Sequence, residues 1–154
     1  MSSLGFLYIV FLTLPFVSGH EKLSAYQVLE QYDFPIGLLP VGVTDYELNR
    51  DTGEFSAYLT DASCSFSIES YQLKYKSPIK GVISKGKLSN LKGVSVKVLF
   101  FWLNIVEVTS DGGDLQFSVG IASADFGVEN FLESPRCGCG FDCVQSQNVL
   151  VSSV

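Results

Sequence analysis

At 154 residues the chain has the length of one domain and can bury a sizeable core, so neither a metal nor a covalent staple is required for folding. Only 17% of its residues are charged, against roughly 25% in ordinary soluble proteins, while glycine, aromatic and β-branched residues abound; that balance argues against a helical bundle and for a β-dominated domain. The net charge of −6 argues against nucleic acid as a partner, because the lysines are not interleaved with the arginine and aromatic side chains that read bases.

Residues 4–17 form an apolar run followed by the small residues Ser18 and Gly19. The run is shorter than the about 20 residues of a membrane span. It therefore predicts a signal peptide over residues 1–19, although no lysine or arginine precedes it, and a single domain over 20–154 secreted to the extracellular space.

From 20 to 32, Leu23, Tyr26, Leu29 and Tyr32 recur at helical spacing and Val28 widens the stripe, which predicts a short amphipathic helix. It should stop near Asp33, because Pro35 forces the residue before it into an extended conformation. Residues 34–43 (FPIGLLPVGV) are apolar yet punctuated by proline and glycine, and read as a buried non-helical strap. Residues 44–49 and 54–60 make a hairpin around Arg50-Asp51-Thr52-Gly53. Cys64, Phe66 and Ile68, then Leu73 and Tyr75, alternate with polar residues in a second strand pair, broken at Pro78 and Gly81. Lys85-Gly86-Lys87 is the next turn, and a short strand should end at 90–93.

Residues 93–109 (GVSVKVLFFWLNIVEVT) are predicted to form one long strand. Its even face, Val94, Val96, Val98, Phe100, Trp102, Val106 and Val108, is interrupted only by Asn104. Its odd face is polar at the ends and apolar at Leu99, Phe101, Leu103 and Ile105, a patch that a helix, a sheet or a ligand must cover. The turn at 110–114 leads to a strand with Leu115, Phe117, Val119 and Ile121 on one face, and 125–133 should form a helical turn or two before Pro135.

The four cysteines, Cys64, Cys137, Cys139 and Cys143, all follow the signal segment, so in an oxidising compartment they predict two disulfides. Three pairings are open. Joining Cys64 to one tail cysteine, with the other two closing a small loop, is favoured because it ties the tail to the sheet. The compartment argues against the alternative, a zinc site. Seven lysines, Lys74, Lys76, Lys80, Lys85, Lys87, Lys92 and Lys97, fall in residues 70–106, which contain no acid. They serve as solvated strand positions that deter edge pairing, or meet an anionic membrane surface or acidic cell-wall polymer.

Three stretches carry a resemblance: YDFPIGLLPVGV (32–43), GKLSNLKGVSVKVLFFWLNI (86–105) and CGCGFDC (137–143). With the order of helix, strap, hairpin and cysteine tail, they resemble the plant family catalogued as domain of unknown function 538. Its members are small, often secreted proteins. The resemblance implies a mostly β fold, a meander-like antiparallel β-barrel with one N-terminal amphipathic helix and a disulfide-tethered C-terminal tail. That fold has been likened to the lipid-binding halves of the bactericidal/permeability-increasing family, and ester or pigment hydrolysis has also been proposed for the family.

Catalysis has little support in the residues. His20, the single histidine, would be the first residue after cleavage, so no imidazole base is available to a folded core. Asp45 with Glu47, and Asp111 with Asp114, read as solvated turn acids, and no phosphate cradle or zinc helix motif occurs. No cofactor or metal is expected. The expected function is non-catalytic binding of a lipid or other amphiphile by a monomer, with a hydrolase of hydrophobic esters and a cell-wall or stress interaction module as the rival classes. Strand parity puts Phe100, Trp102, Phe117 and Val119 on the inner wall, Leu99 and Phe101 on the second patch, and Lys85 and Lys97 near an entrance where they would meet an acidic head.

Overall fold

The computed structural model describes residues 22–141; the expected signal segment, His20 and Cys143 lie outside them. Two long strands, β4 (Tyr71–Ser84) and β5 (Lys87–Val98), pair antiparallel and form the spine of the sheet. β2 (Glu54–Leu59) and β3 (Ser63–Ile68) share the far side of β4, and β6 (Phe101–Asn104) and β7 (Glu107–Ser110) share the far side of β5. β1 (Val43–Leu48) extends the sheet beyond β2, and β8 (Asp114–Ser118) and β9 (Ser123–Gly127) extend it beyond β7. Every pairing is antiparallel. The strand order ends at β1 on one side and at β9 on the other with no pairing between them, so the sheet is open where a barrel was expected.

Non-strand segments complete the concave face instead. Helix α1 (Ala25–Gln31) begins at a capping box, in which the Ser24 side chain accepts from the Gln27 N–H and the Gln27 side chain accepts from the Ser24 N–H. It ends before Asp33, which takes φ +67°, and it buries Val28 and Leu29. The helix is shorter than the 20–32 expected: of the stripe read from the sequence it holds Tyr26, Val28 and Leu29, while Leu23 precedes its N-cap and Tyr32 is its C-cap. The strap follows with a 3-10 turn, Ile36–Leu38, and Pro35 and Pro40 have no N–H to offer a ladder. Tyr75 donates its hydroxyl to the Leu38 carbonyl at 2.6 Å, and Tyr26 donates to the Pro40 carbonyl at 2.7 Å. Burial pushes the Tyr75 hydroxyl well above the ordinary tyrosine range, so it stays a donor. On the strap's other side, Val41 N–H donates to the Pro135 carbonyl and Ser134 Oγ to the Ile36 carbonyl.

The glycine in this strap has a packing cause. A Cβ on Gly37 would run into the carbonyl oxygens of Phe131 and Glu133, backbone atoms that cannot swing away. Gly37→Ala is expected to destabilise the fold by about 1–3 kcal/mol, the usual cost of overpacking. Urea unfolding measures it; a midpoint equal to that of the parent protein would show that strap and C-terminal turn can separate at little cost.

The largest departure from expectation is at 93–109, which is not one strand. The chain reverses at Leu99-Phe100, so that Val98 pairs with Phe101, Lys97 with Trp102, Val96 with Leu103 and Ser95 with Asn104. A two-residue turn reverses the parity of the faces. Val94 and Val96 face the core before it, but Leu103 and Ile105 share that side after it, while Trp102 lies with Lys97 on the convex side. A register slip between β6 and β7 then restores the even face, because Ile105 and Val108 are both 1% exposed although three residues apart.

Elsewhere the strands run longer than expected. β4 continues through Pro78 and Gly81, and β5 through 90–93, with register shifts between Tyr75 and Val82. Gly93, at φ +95°, brings the two bent strands together; a Cβ there would lie 2.7 Å from the Lys76 carbonyl oxygen. Residues 125–127 belong to β9 rather than to a helical turn, and a second 3-10 turn, Val128–Phe131, follows. Cys64 pairs with Cys137, and Cys139 is also disulfide-bonded. The tail thus fastens onto β3, where Gly138 N–H donates to the Ser65 carbonyl at 2.6 Å and Phe141 packs edge-on against Phe66.

Candidate functional site

Three hairpins line one end of the concave face. Ile68 and Tyr71 flank the β3–β4 turn, Val98 begins the β5–β6 turn, and Val119 and Ala122 flank the β8–β9 turn. All five border an apolar cavity of about 170 Å³. Its floor is aromatic: Phe117 and Phe126 meet edge to face at 5.5 Å between centroids, and Phe131 stacks obliquely on Phe117 at 5.7 Å. Alternation in β8 and β9 positions these rings, since Phe117 pairs with Ala124 and Leu115 with Phe126 on one face while Gln116 and Asp125 occupy the other.

The cavity's chemistry is limited. Among the described lining residues, only Tyr71 and Ser123 carry polar side-chain atoms, and none carries an imidazole or a carboxylate. A serine without a base is a poor nucleophile, and, Tyr71 aside, the other described walls are apolar. A smaller void of about 60 Å³ lies under α1 among Leu29, Leu38, Tyr75 and Leu91, where apolar walls would keep it dry. A wide groove of about 1150 Å³ interleaves Lys80 and Lys92 with Glu47, Glu54 and Glu107. Its charges largely offset one another, so it offers no strong field for an anion.

The residues expected at the site are scattered by the hairpin. Phe117 and Val119 do line the cavity. Phe100 and Trp102 do not lie on the inner wall: Phe100 sits in the turn, 88% exposed, and Trp102 stands on the convex face with the Lys74 ammonium 4.8 Å from its ring. Leu99 and Phe101 are exposed at the tip beside them. Helix α1 does not cover this patch, since it packs on the strap and β1. Lys85 and Lys97 cannot share one entrance. Lys85 is in the β4–β5 turn, next to the Tyr32 carbonyl that Gly86 binds, whereas Lys97 is near the other end of the 12-residue β5.

Of the acids read as turn residues, Asp111 sits in the β7–β8 turn and Asp114 opens β8, whereas Asp45 and Glu47 lie exposed within β1. Asp111 Oδ1 accepts from the N–H groups of Asp114 and Gly113, which hold its carboxyl below the ordinary range. Asp45 is likewise lowered, first by the Tyr46 N–H and then by the Lys22 ammonium. Sequence reading missed Ile68, Tyr71, Ala124 and Phe126 as lining residues. The alternation of β3 was visible, but only the curl of the sheet brings β3, β5 and β9 around one space.

Comparison with known proteins places this geometry in a family. Residues 25–132 match the family model described as "Protein of unknown function, DUF538", so the chain belongs to that family. It is also 29% identical over 106 residues to an uncharacterized protein of Arabidopsis thaliana, an alignment that covers 68% of this chain and 61% of the relative.

Proposed function

We propose that this member of the DUF538 family is an exported monomer that binds the apolar part of a lipid or other amphiphile at the hairpin end of its sheet, without turning it over. The observation that carries the reading is the cavity of about 170 Å³ enclosed by Val96, Val98, Phe117, Val119, Ala124 and Phe126. Its size decides how much of a ligand fits. A dry cavity of about 150 Å³ takes a guest the size of benzene, and sites for whole drug-sized ligands run from roughly 300 to 1,000 Å³. One aromatic ring or the end of an acyl chain would be buried, and the polar head would stay outside. Export is supported by the Cys64–Cys137 bond, of a kind that persists in oxidising compartments.

Ala124→Phe tests the cavity, because its side chain would fill the space opposite Phe117. A fluorescent medium-chain fatty acid should bind the parent protein and bind the variant at least tenfold more weakly, with both proteins melting cooperatively. Equal binding by the two would remove the cavity from the function. N-terminal sequencing of the protein from plant extracellular fluid tests export, and a chain still beginning at Met1 would overturn it.

A further inference from the structure

The β5–β6 tip carries a pattern that the fold itself does not need. Leu99, Phe100 and Phe101 are 82%, 88% and 68% exposed in succession. Leu99 also takes φ +58°, a conformation in which a bulky side chain is an outlier and glycine is the favoured occupant. A residue that strains the backbone and buries little in its own protein points to a partner outside it. On the third hairpin at this end, Ile121 is 94% exposed as well.

Charge identifies the partner. Lys97 pairs directly with Trp102 across the hairpin, and the Lys74 ammonium lies over the Trp102 ring. Among the described residues, neither lysine lies within ion-pair distance of a carboxylate, since the ion pairs there are Lys22–Asp45 and Lys87–Glu107. Among the described residues, Glu69 in the adjacent β3–β4 turn is the one acid at this tip. Apolar side chains at the extremity, a tryptophan behind them and cations beside it match the layers of an anionic bilayer: acyl chains, interface and headgroups. A second copy of the chain would instead bring the same unpaired lysines against each other.

We propose that the Val98–Trp102 hairpin is a membrane-docking tip that inserts Leu99, Phe100 and Phe101 into the interface of an anionic bilayer while Lys74 and Lys97 meet its headgroups. Val98 both begins the tip and lines the cavity, so docking would turn the cavity toward the lipid. This deepens the amphiphile reading and rests on it for what the cavity receives.

The test uses the disulfide-intact protein and vesicles of phosphatidylcholine with or without about 30% phosphatidylserine. Trp102 is the only tryptophan, so its fluorescence reports the tip alone. Binding to the anionic vesicles, a blue shift of Trp102 and quenching by brominated acyl chains are expected. Phe100→Ser/Phe101→Ser should weaken vesicle binding at least tenfold, and Lys74→Gln and Lys97→Gln about fivefold each. Leu99→Gly should also weaken it, while relief of the positive φ keeps the melting temperature at or above that of the parent. The serine variant should still bind the fluorescent fatty acid in solution, which separates docking from the cavity. Loss of fatty-acid binding by the parent protein with vesicle binding intact would sink only the cavity reading. Vesicle binding that ignores all these substitutions would overturn the docking proposal. So would a parent protein that ignores vesicles but forms a dimer that the serine variant abolishes.

Discussion

Replacing both members of the Cys64–Cys137 bond with serine should cost about 4 kcal/mol of stability, from the chain entropy of a cross-link spanning 73 residues. That is a large share of the 5–15 kcal/mol that separates a typical domain from its unfolded state. The bond joins the tail to β3 at Cys64, which is 2% exposed beside Phe66. Without it, non-covalent contacts such as the Gly138 hydrogen bond to Ser65 and the edge-on packing of Phe141 against Phe66 must hold the tail, and the new serine at 64 leaves a hydroxyl in an apolar setting. Urea unfolding of the double variant against the parent measures the difference. Reductant should lower the parent toward the variant and leave the variant nearly unchanged. A loss below about 1 kcal/mol would mean that the tail contributes little to the folded state.

The elements that carried their own punctuation could be read from the sequence. Arg50-Asp51-Thr52-Gly53 announces the β1–β2 hairpin because Gly53 takes φ +82°, as a tight loop requires. The strap was equally plain, since prolines among buried apolar residues exclude both helix and ladder. The β5–β6 reversal had no such mark. Its turn residues are Leu99 and Phe100, inside an uninterrupted apolar run, and a two-residue turn flips face parity without any polar residue to reveal the flip. Length was the one available clue, because 17 residues far exceeds an ordinary strand of roughly 3–10. The same blindness scattered the expected residues: Phe117 in β8 and Val119 just after it border the cavity, while Phe100 and Trp102 are carried across a turn that parity cannot see. Closure of the sheet was not decidable from strand patterns, which read alike in an open curled sheet and in a barrel.

Phe131→Ala should be among the most destabilising single substitutions in the core and should also be partly reversible by an apolar guest. Phe131 is 2% exposed, its ring stacks on Phe117 and meets Phe126 edge-on at 6.5 Å, and its carbonyl abuts Gly37 in the strap. Truncating a buried phenylalanine costs about 3–5 kcal/mol, part of it for the space left behind. Here that space joins a cavity already present, because Phe131 lines it. The enlarged cavity would have apolar walls, remain dry and admit a larger guest than the parent does. A guest that binds only the folded form raises stability as its concentration passes its dissociation constant. Benzene or a medium-chain fatty acid should therefore raise the urea midpoint of Phe131→Ala more than that of the parent. Equal shifts would place the guest elsewhere on the protein. No shift in either would show that the walls collapse onto the vacated space, and the cavity between the hairpins would then be too plastic to select a ligand by size.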